Sequence, residues 1–493
     1  MIYNFNLGIG WASSGVEYAQ IYRAKMFRNI GVDAKFVFTD MFPQENIEHM
    51  TKNIGFEDSE VIWLYTFFTD FKTAPVTYTL SDLEKTFSNT EYTKSREGKI
   101  CRYVFNGSNN FYTAYMVNDH DDYVHRVEMV SNGCLIRKDY FTYGRVYSEY
   151  YAPLDNAAHL YHRRFFNENG SVAYEEIIDD DKVMYKFKDK MLCSKEEFVG
   201  YMVSQLHLTK DDVVLIDRST DIGQSIIMNC KPARVGTVVH ADHFSEKDTN
   251  EDYILWNNFY EYEFNMHKHI DFYICSTQAQ SDLMVQQFEK YYGVTPCIYT
   301  IPVGSLPELK YPSSTRKPYS LITASRLASE KHVDWICKAV IQARSEVPEL
   351  SLDIYGVGGE REKLENIIRE NNASSYIHLM GQHDLSEVYQ NYEAYIAGST
   401  SEGFGLTLME AVGGGLPIVG FDVRYGNPTF IRNGGNGYLI SLPEEDKDKI
   451  EALRKGIVDL FKQDLGKCHE VSYEVAKDFL TCNVQEKWRE AVC

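Results

Sequence analysis

Glu402 and Glu410 stand eight positions apart, with Gly403-Phe404-Gly405 directly after the first of them. The apolar run Tyr395-Ile396-Ala397 predicts a buried strand and Leu406 to Val412 a helix, so the loop between them opens at a helix N-terminus. Unpaired backbone N–H groups, such as those of Leu406 and Thr407, and the positive end of the helix dipole suit phosphate oxygens there. Gly403 and Gly405 lack the Cβ atoms that would keep a ligand away from the backbone. Glu402 sits just before the helix and Glu410 about one turn inside it. Neither carboxylate can pair with phosphate, but each can accept hydrogen bonds from sugar hydroxyls. Diphosphate donors, hydroxyl acceptors and a carboxylate at the reacting end are together what a nucleotide-sugar needs.

A second set, Ser325-Arg326-Leu327-Ala328-Ser329-Glu330-Lys331, follows the predicted strand Tyr319 to Ala324. A βα loop lies at the carboxyl edge of its sheet, where open α/β folds bind ligands. Arg326 offers a planar fork and Lys331 a point charge to a diphosphate that gains negative charge as its bond to the sugar breaks. By spacing alone the pair is more often a solvated helix start. Two glutamates two loops away in the same domain tip the reading toward a site.

Two further positions lie N-terminal to these. Gly8-Ile9-Gly10-Trp11-Ala12-Ser13-Ser14-Gly15 ends the first predicted strand, and Gly15 opens a helix N-terminus that can meet a diphosphate. His240-Ala241-Asp242-His243 ends the predicted strand Val235 to Val239, with His243 read as local structure. The spacing of His240, Asp242 and His243 lacks the helix that would align them on a metal. Asp119-His120-Asp121 and Asp179-Asp180-Asp181 look like metal-binding Asp-x-Asp motifs but fall beside turn signals, and are read as turn residues. No metal and no cofactor are expected.

The elements that must position these groups form three textures. At 493 residues the chain is long enough for two or three domains. A net charge of −21 argues against unspecific binding to nucleic acid or anionic membrane. Ten scattered cysteines without Cys-x-x-Cys spacing, no run of 18 apolar residues and an N-terminus unlike a signal sequence fit a cytoplasmic chain. Beyond about 316, strands and helices alternate: His332 to Arg344, Lys363 to Glu370 and Leu385 to Tyr392 are predicted helices, Ser351 to Tyr355 and Ile377 to Met380 strands. Alternation of this kind implies a parallel, doubly wound sheet. The same texture opens the chain and returns at Val213 to Ile216, Phe272 to Cys275 and Cys297 to Ile301.

Between about 60 and 205 the runs turn rich in tyrosine and β-branched residues, broken at Asn106-Gly107, Asn132-Gly133 and Asn169-Gly170. That pattern predicts an antiparallel meander inserted into the first α/β domain, whose edge strands and tyrosines suit docking of a partner or acceptor protein. The expected boundaries are 1–59 and 206–304 for the first α/β domain, 60–205 for the insert, 305–470 for the second domain and 471–493 for a helical end.

With Gly413-Gly414-Gly415-Leu416-Pro417-Ile418-Val419 behind it, the Glu-x7-Glu loop resembles that of retaining glycosyltransferases of the GT-B class, two Rossmann-like domains facing a cleft. Asn6 to Gln20, Leu135 to Phe141, Tyr253 to Tyr260 and Gly420 to Asn427 more closely resemble the catalytic subunits that begin O-glycosylation of serine-rich repeat adhesins in Gram-positive bacteria. The resemblance implies transfer of N-acetylglucosamine from UDP-N-acetylglucosamine to Ser/Thr hydroxyls of the adhesin, without metal. It implies a GtfB-type partner lacking the catalytic signature, and a cytoplasmic enzyme peripheral to the inner membrane face. By the same analogy the backbone of Ile377 and His378 meets the uracil and Glu410 accepts the ribose hydroxyls. Arg326 and Lys331 hold the diphosphate with N–H groups at Leu406 and Thr407. Glu402 and Gly403-Phe404-Gly405 orient the donor sugar, and His240 lies beside it. UDP-glucose as donor and a non-catalytic adhesin-binding role stay open.

Overall fold

The structure, a computed structural model, describes residues 1–9, 15–88 and 90–493. The loop expected to bind phosphate between Gly8 and Gly15 thus lies largely outside the described residues, at 10–14. The chain divides into two compact units. One comprises Met1–Ala24, Val32–Thr237 and Asn258–Asp271, the other Lys25–Gly31, Val238–Asn257 and Phe272–Cys493.

In the first unit, parallel strands lie in the order Arg234–Val239, Val213–Ile216, Ile2–Asn6, Ala34–Phe38, Val61–Trp63. Val213–Ile216 is apolar at every position and buried throughout, the composition of a strand covered on both faces. The helix Gly15–Ile30 is locked to this sheet by a buried polar network. Arg23 Nη1 and Nη2 donate to Asp217 Oδ2 and Oδ1 at 2.8 and 2.7 Å, and Gln20 adds a third bond to Oδ2 at 2.8 Å. Arg23 also reaches Asn4 Oδ1 at 2.9 Å, which ties the helix to the first strand.

The insert is a ten-stranded antiparallel sheet whose strands pair in strict chain order, from Tyr92–Glu97 to Met191–Leu192. Asn132 and Gly133, at φ 50° and 80°, make the two-residue turn that joins Val124–Ser131 to Cys134–Phe141. Along Ile100–Phe105 burial alternates, and Cys101, Tyr103 and Phe105 point inward. They pack beneath the helix Leu80–Lys85, whose start is fixed by a capping box between Thr79 and Asp82. Much of the tyrosine excess is core. Tyr140, Tyr147, Phe165 and Tyr174, one from each of four successive strands, stack with ring centroids 4.3, 5.5 and 4.5 Å apart.

Two expectations need correcting here. The insert does not begin at 60: Val61–Trp63 pairs in parallel with Phe36–Phe38, and a three-residue apolar run is too short to reveal which sheet it joins. Nor does its sheet run to 205, since Lys195–Gln205 is a helix.

The second unit is built on six parallel strands in the order Ile377–Gly381, Ser351–Tyr355, Ser320–Ala324, Ala394–Ile396, Ile418–Phe421, Gly437–Ile440. Apolar cores lie against it, one built around Leu321, Ile336, Leu352 and Ile457, the other around Ile322, Leu408, Val412 and Ile418. The chain winds outward from Ser320–Ala324 in one direction, then returns to continue in the other from Ala394–Ile396. The crevice at a reversal of this kind, outside the carboxyl ends of the two strands, is where such sheets take ligands.

The helix expected over Leu385 to Tyr392 is reduced to a single turn, Tyr389–Asn391. Arg316 Nη1 takes the carbonyls of Gln390 and Tyr392 at 2.8 and 2.9 Å, and Lys317 N–H takes that of Asn391 at 2.9 Å. Those carbonyls serve tertiary partners in place of a helical ladder.

Candidate active site

Both loops at the strand reversal carry groups singled out in the sequence. Ser325 to Lys331 leaves the end of Ser320–Ala324, and Ala397 to Gly405 leaves the end of Ala394–Ile396. They meet in an ion pair: Lys331 Nζ donates to Glu402 Oε2 at 2.6 Å, with about a fifth of each side chain exposed. Gly405 caps the helix Leu406–Gly413 in the left-handed region, φ 87°, and a Cβ there would lie 2.6 Å from Leu408 Cδ1. The first turn bonds Leu408 N–H to Gly405 O at 3.0 Å, which leaves the N–H groups of Leu406 and Thr407 ahead of the helical ladder. Phe404 turns inward and is buried. The Tyr395 hydroxyl lies 3.0 Å from Ala324 O and 3.1 Å from Thr407 Oγ1, so one buried ring joins the end of the central strand to the start of the helix.

Arg326 extends into solvent, 80% exposed, with Glu330 beside it at 3.1 Å. Its backbone is nevertheless held. Leu327 N–H donates to Val357 O and Glu360 N–H to Leu327 O, both at 3.0 Å. This approach requires glycine: a Cβ on Gly356 would lie 1.8 Å from Ser325 O, and one on Gly358 would lie 2.4 Å from Leu327 O. A long cation thus stands on a fixed loop at the carboxyl edge of the sheet.

Glu410 is largely enclosed and accepts from the Tyr389 hydroxyl at 2.9 Å. Burial raises its carboxyl above the usual range, and the Tyr389 bond only partly offsets that. A ligand hydroxyl donating to it would favour the charged form. Glu410→Gln is therefore expected to weaken UDP binding about tenfold. In the native chain UDP affinity should fall as pH drops and Glu410 takes up its proton, and in the variant that fall should disappear. Calorimetric titration across pH checks both; an unchanged affinity would remove Glu410 from the site.

His240 follows directly on Arg234–Val239, and its carbonyl oxygen lies 3.7 Å from where a Gly403 Cβ would sit. The next carbonyls are each taken: Ala241 O by Gln280 Nε2 and Asp242 O by Asn257 Nδ2, both at 2.8 Å, and His243 O by Asn257 N–H at 2.9 Å. His243 is fully buried with Nε2 2.6 Å from Gln287 Oε1, and burial pushes its imidazole down to about 4, so it is neutral and structural. Gly15 opens the helix Gly15–Ile30 in the first unit and is exposed.

The placement of the base beside Ile377 and His378 is corrected. Ile377 pairs with Leu352 at the amino end of its strand, whereas Gly381 pairs with Tyr355 at the carboxyl end, level with Ala324. The Arg326 loop leaves from that carboxyl end, four residues further along the sheet. Ile377 is buried, and His378 Nδ1 is engaged by Asp353 Oδ1 at 2.7 Å. The backbone at the carboxyl edge is Gly381-Gln382-His383, where Gly381 takes φ 78° and His383 Nε2 lies 2.9 Å from Met380 O.

Among the described residues no group of three or more His, Cys, Asp or Glu is placed to hold a metal ion. Asp119-His120-Asp121 forms a turn in which Asn118 Oδ1 accepts from the N–H groups of His120 and Asp121, and Asp180 takes φ 54° in a hairpin turn. Tyr389, Tyr395, Gly356 and Gly358 escaped the sequence reading. The run Gly356-Val357-Gly358-Gly359 after a predicted strand was the available signal for the last two.

Known proteins match this arrangement over the whole chain. Residues 93–189 match the family model described as GtfA extended beta-sheet domain, and 310–477 the one described as glycosyl transferases group 1. The UDP-N-acetylglucosamine–peptide N-acetylglucosaminyltransferase GtfA subunit of Streptococcus agalactiae is 52% identical over 99% of this chain and 97% of its own length. A crystal structure of a GtfA/B complex superposes with a TM-score of 0.96 at 51% identity, covering 100% of this chain and 99% of the other. The pneumococcal O-GlcNAc transferase GtfA, solved with UDP and GlcNAc, gives 0.85 at 50% identity, covering 100% of this chain and 98% of its own. No helix among the described residues is long and apolar enough to cross a membrane.

Proposed function

The chain belongs to the GtfA subunits, GT-B glycosyltransferases, and from that premise we propose that it transfers N-acetylglucosamine from UDP-N-acetylglucosamine to Ser and Thr hydroxyls of a serine-rich repeat adhesin, with retention at the anomeric carbon. The Lys331–Glu402 pair beside an open helix N-terminus, at the reversal of strand order, carries the reading. An ammonium has three donors, so Lys331 can keep one on Glu402 and turn two to phosphate oxygens. Arg326 closes on the same diphosphate, and the N–H groups of Leu406 and Thr407 meet it from the helix. Glu402 and the Gly403–Gly405 backbone orient the sugar hydroxyls, with His240 alongside. Glu410 accepts the ribose hydroxyls, and the backbone at Gly381 to His383 receives the base.

No carboxylate acts as nucleophile in this scheme. As the glycosidic bond breaks, the cations and helix N–H groups stabilise the charge that grows on the leaving phosphate. The acceptor hydroxyl attacks from the same face, and its proton passes to that phosphate oxygen. Turnover should be insensitive to chelator, since Arg326 and Lys331 supply the positive charge; strict loss of activity in EDTA, restored by a divalent cation, would overturn this. The decisive experiment incubates the chain and its partner with both UDP-sugars and one serine-rich repeat peptide, then weighs the product. Addition of N-acetylhexosamine with UDP release is expected. Addition of hexose would correct the donor, and no addition would leave an adhesin-binding role.

The partner is a GtfB-type subunit, and we place its contact on the insert. The strand Tyr92–Glu97 is an open edge of the ten-stranded sheet and is mostly exposed. Of the tyrosines that looked suited to the contact, Tyr147 is core and drops out, while Tyr143 is exposed and Tyr150 half-buried. Tyr143→Ser with Tyr150→Lys should abolish co-purification with the partner yet leave UDP affinity intact. Joint loss of both would make the pair a folding element instead. The cytoplasm suits ten free cysteines and a nucleotide-sugar donor.

A further inference from the structure

Glu402 and His240 are held by one shared residue. Tyr425 N–H donates to Glu402 O at 2.6 Å, and the next N–H, of Gly426, donates to the same oxygen at 2.7 Å. In return Glu402 N–H reaches Arg424 O at 3.1 Å, so the backbone of Glu402 is gripped from both sides by Arg424 to Gly426. The Tyr425 side chain runs the other way. Its hydroxyl donates to Asp242 Oδ1 at 2.5 Å and lies 3.1 Å from His243 Nδ1, while Arg424 Nη2 sits 3.3 Å from the other oxygen of Asp242. Asp242 stands two residues beyond His240, and the carbonyls of Ala241, Asp242 and His243 are already fixed by Gln280 and Asn257. Tyr425 is 1% exposed, so a hydroxyl there without a partner would be costly to bury.

We propose that Tyr425 is the positioning residue of this transferase: its backbone sets Glu402, its hydroxyl sets the His240 segment, and the distance between the two groups is thereby fixed. Its hydroxyl is spent on Asp242 and His243. A close approach by Gly426 completes the device, since a Cβ there would lie 2.2 Å from Phe404 O in the glycine loop. The ring keeps its stack against His243, centroids 5.9 Å apart, whether or not it carries a hydroxyl. Removing the oxygen therefore loosens the link and leaves the packing.

The proposal rests on the reading of Glu402 and His240 as groups that meet the donor sugar, and the test separates the two. In the complex with its partner, Tyr425→Phe should lower kcat by roughly 10- to 100-fold, with the Kd for UDP and the melting temperature unchanged. Asp242→Ala, at a half-exposed side chain that the fold can spare, should do the same. In a His240→Ala background Tyr425→Phe should cost little more, because the group it positions is gone. If His240→Ala and Glu402→Gln both keep full turnover, the reading of the site fails. If they lose turnover while Tyr425→Phe does not, or if its penalty adds in full to that of His240→Ala, the site stands and the proposal falls. Loss of UDP binding in Tyr425→Phe would overturn it too, by showing a general collapse of the loop.

Discussion

Lys331→Ala should cut turnover by roughly 100-fold or more, equivalent to about 3 kcal/mol of transition-state stabilisation, while UDP binding weakens far less. In the proposed scheme two effects act together. The ammonium that meets the growing charge of the leaving diphosphate is lost, and its work is done mainly in the transition state. Glu402 also loses its 2.6 Å partner and with it the ion pair that fixes the carboxylate against the sugar. Arg326→Ala removes the first effect only, because Arg326 reaches no part of Glu402 in the resting site and pairs with Glu330. Lys331→Ala should therefore be the more damaging, and Lys331→Arg should not restore it, since a planar fork cannot take the place of a compact ammonium between carboxylate and phosphate. Single-turnover rates with saturating UDP-N-acetylglucosamine give the comparison. Equal losses in the two alanine variants would mean that the Glu402 contact contributes nothing to catalysis.

The second large effect is on stability. Asp217→Ala is expected to destabilise the first unit by about 3–5 kcal/mol, because it takes both carboxylate contacts away from a buried guanidinium. Arg23 and Asp217 are 2% and 0% exposed, and Gln20 and Asn4 lose their arrangement with the pair. Replacing both charges, as Arg23→Met with Asp217→Leu, should cost less than Asp217→Ala alone, since no charge is then left unpaired. Thermal and urea unfolding of the three variants decides it. A double variant weaker than Asp217→Ala would show that the polar network adds net stability beyond the neutralisation of its charges.

Placement was legible where it is local. Glu402, Arg326 and Lys331 each sit in a loop that follows a short apolar strand, with Glu410 about one turn into the helix beyond, and the spacing from strand to charged residue predicts the sheet edge they occupy. The meeting of Lys331 with Glu402 was not visible, because it depends on which two strands lie side by side across the reversal. Tyr425 was hidden for the same reason, standing 183 positions from Asp242. Ile377 and His378 went astray through direction: their strand was recognised, but the ligand edge is its far end. Leu385 to Tyr392 has a helical pattern that Arg316, by capturing its carbonyls, overrides. In the insert, Val124–Ser131, Ala157–Phe166 and Val172–Asp179 are hard to read as strands because charged residues on the outward face dilute their apolar content. The tyrosines that were noticed there proved to serve the stack as much as the surface.

The strict chain order of the ten-stranded sheet sets a timetable for synthesis. Ile2–Asn6 emerges first, yet one of its two partners is Val213–Ile216, on the far side of the insert. At about 5–20 residues per second the ribosome takes roughly 10 to 40 seconds to deliver it. Throughout that interval one side of the first strand is an unsatisfied template on a nascent chain. The insert needs no such wait, because every hairpin finds its partner in the strand just made, the cheapest order of closure for a polymer. By zipping itself up as it leaves the exit tunnel it draws Trp63 and Lys195 together, and a long, costly loop becomes a short one before Val213 appears. The meander is thus an internal assembly jig for the parallel sheet whose chain it interrupts, and a pause or weak hairpin within 92–192 should show up as misfolding of residues that lie outside it.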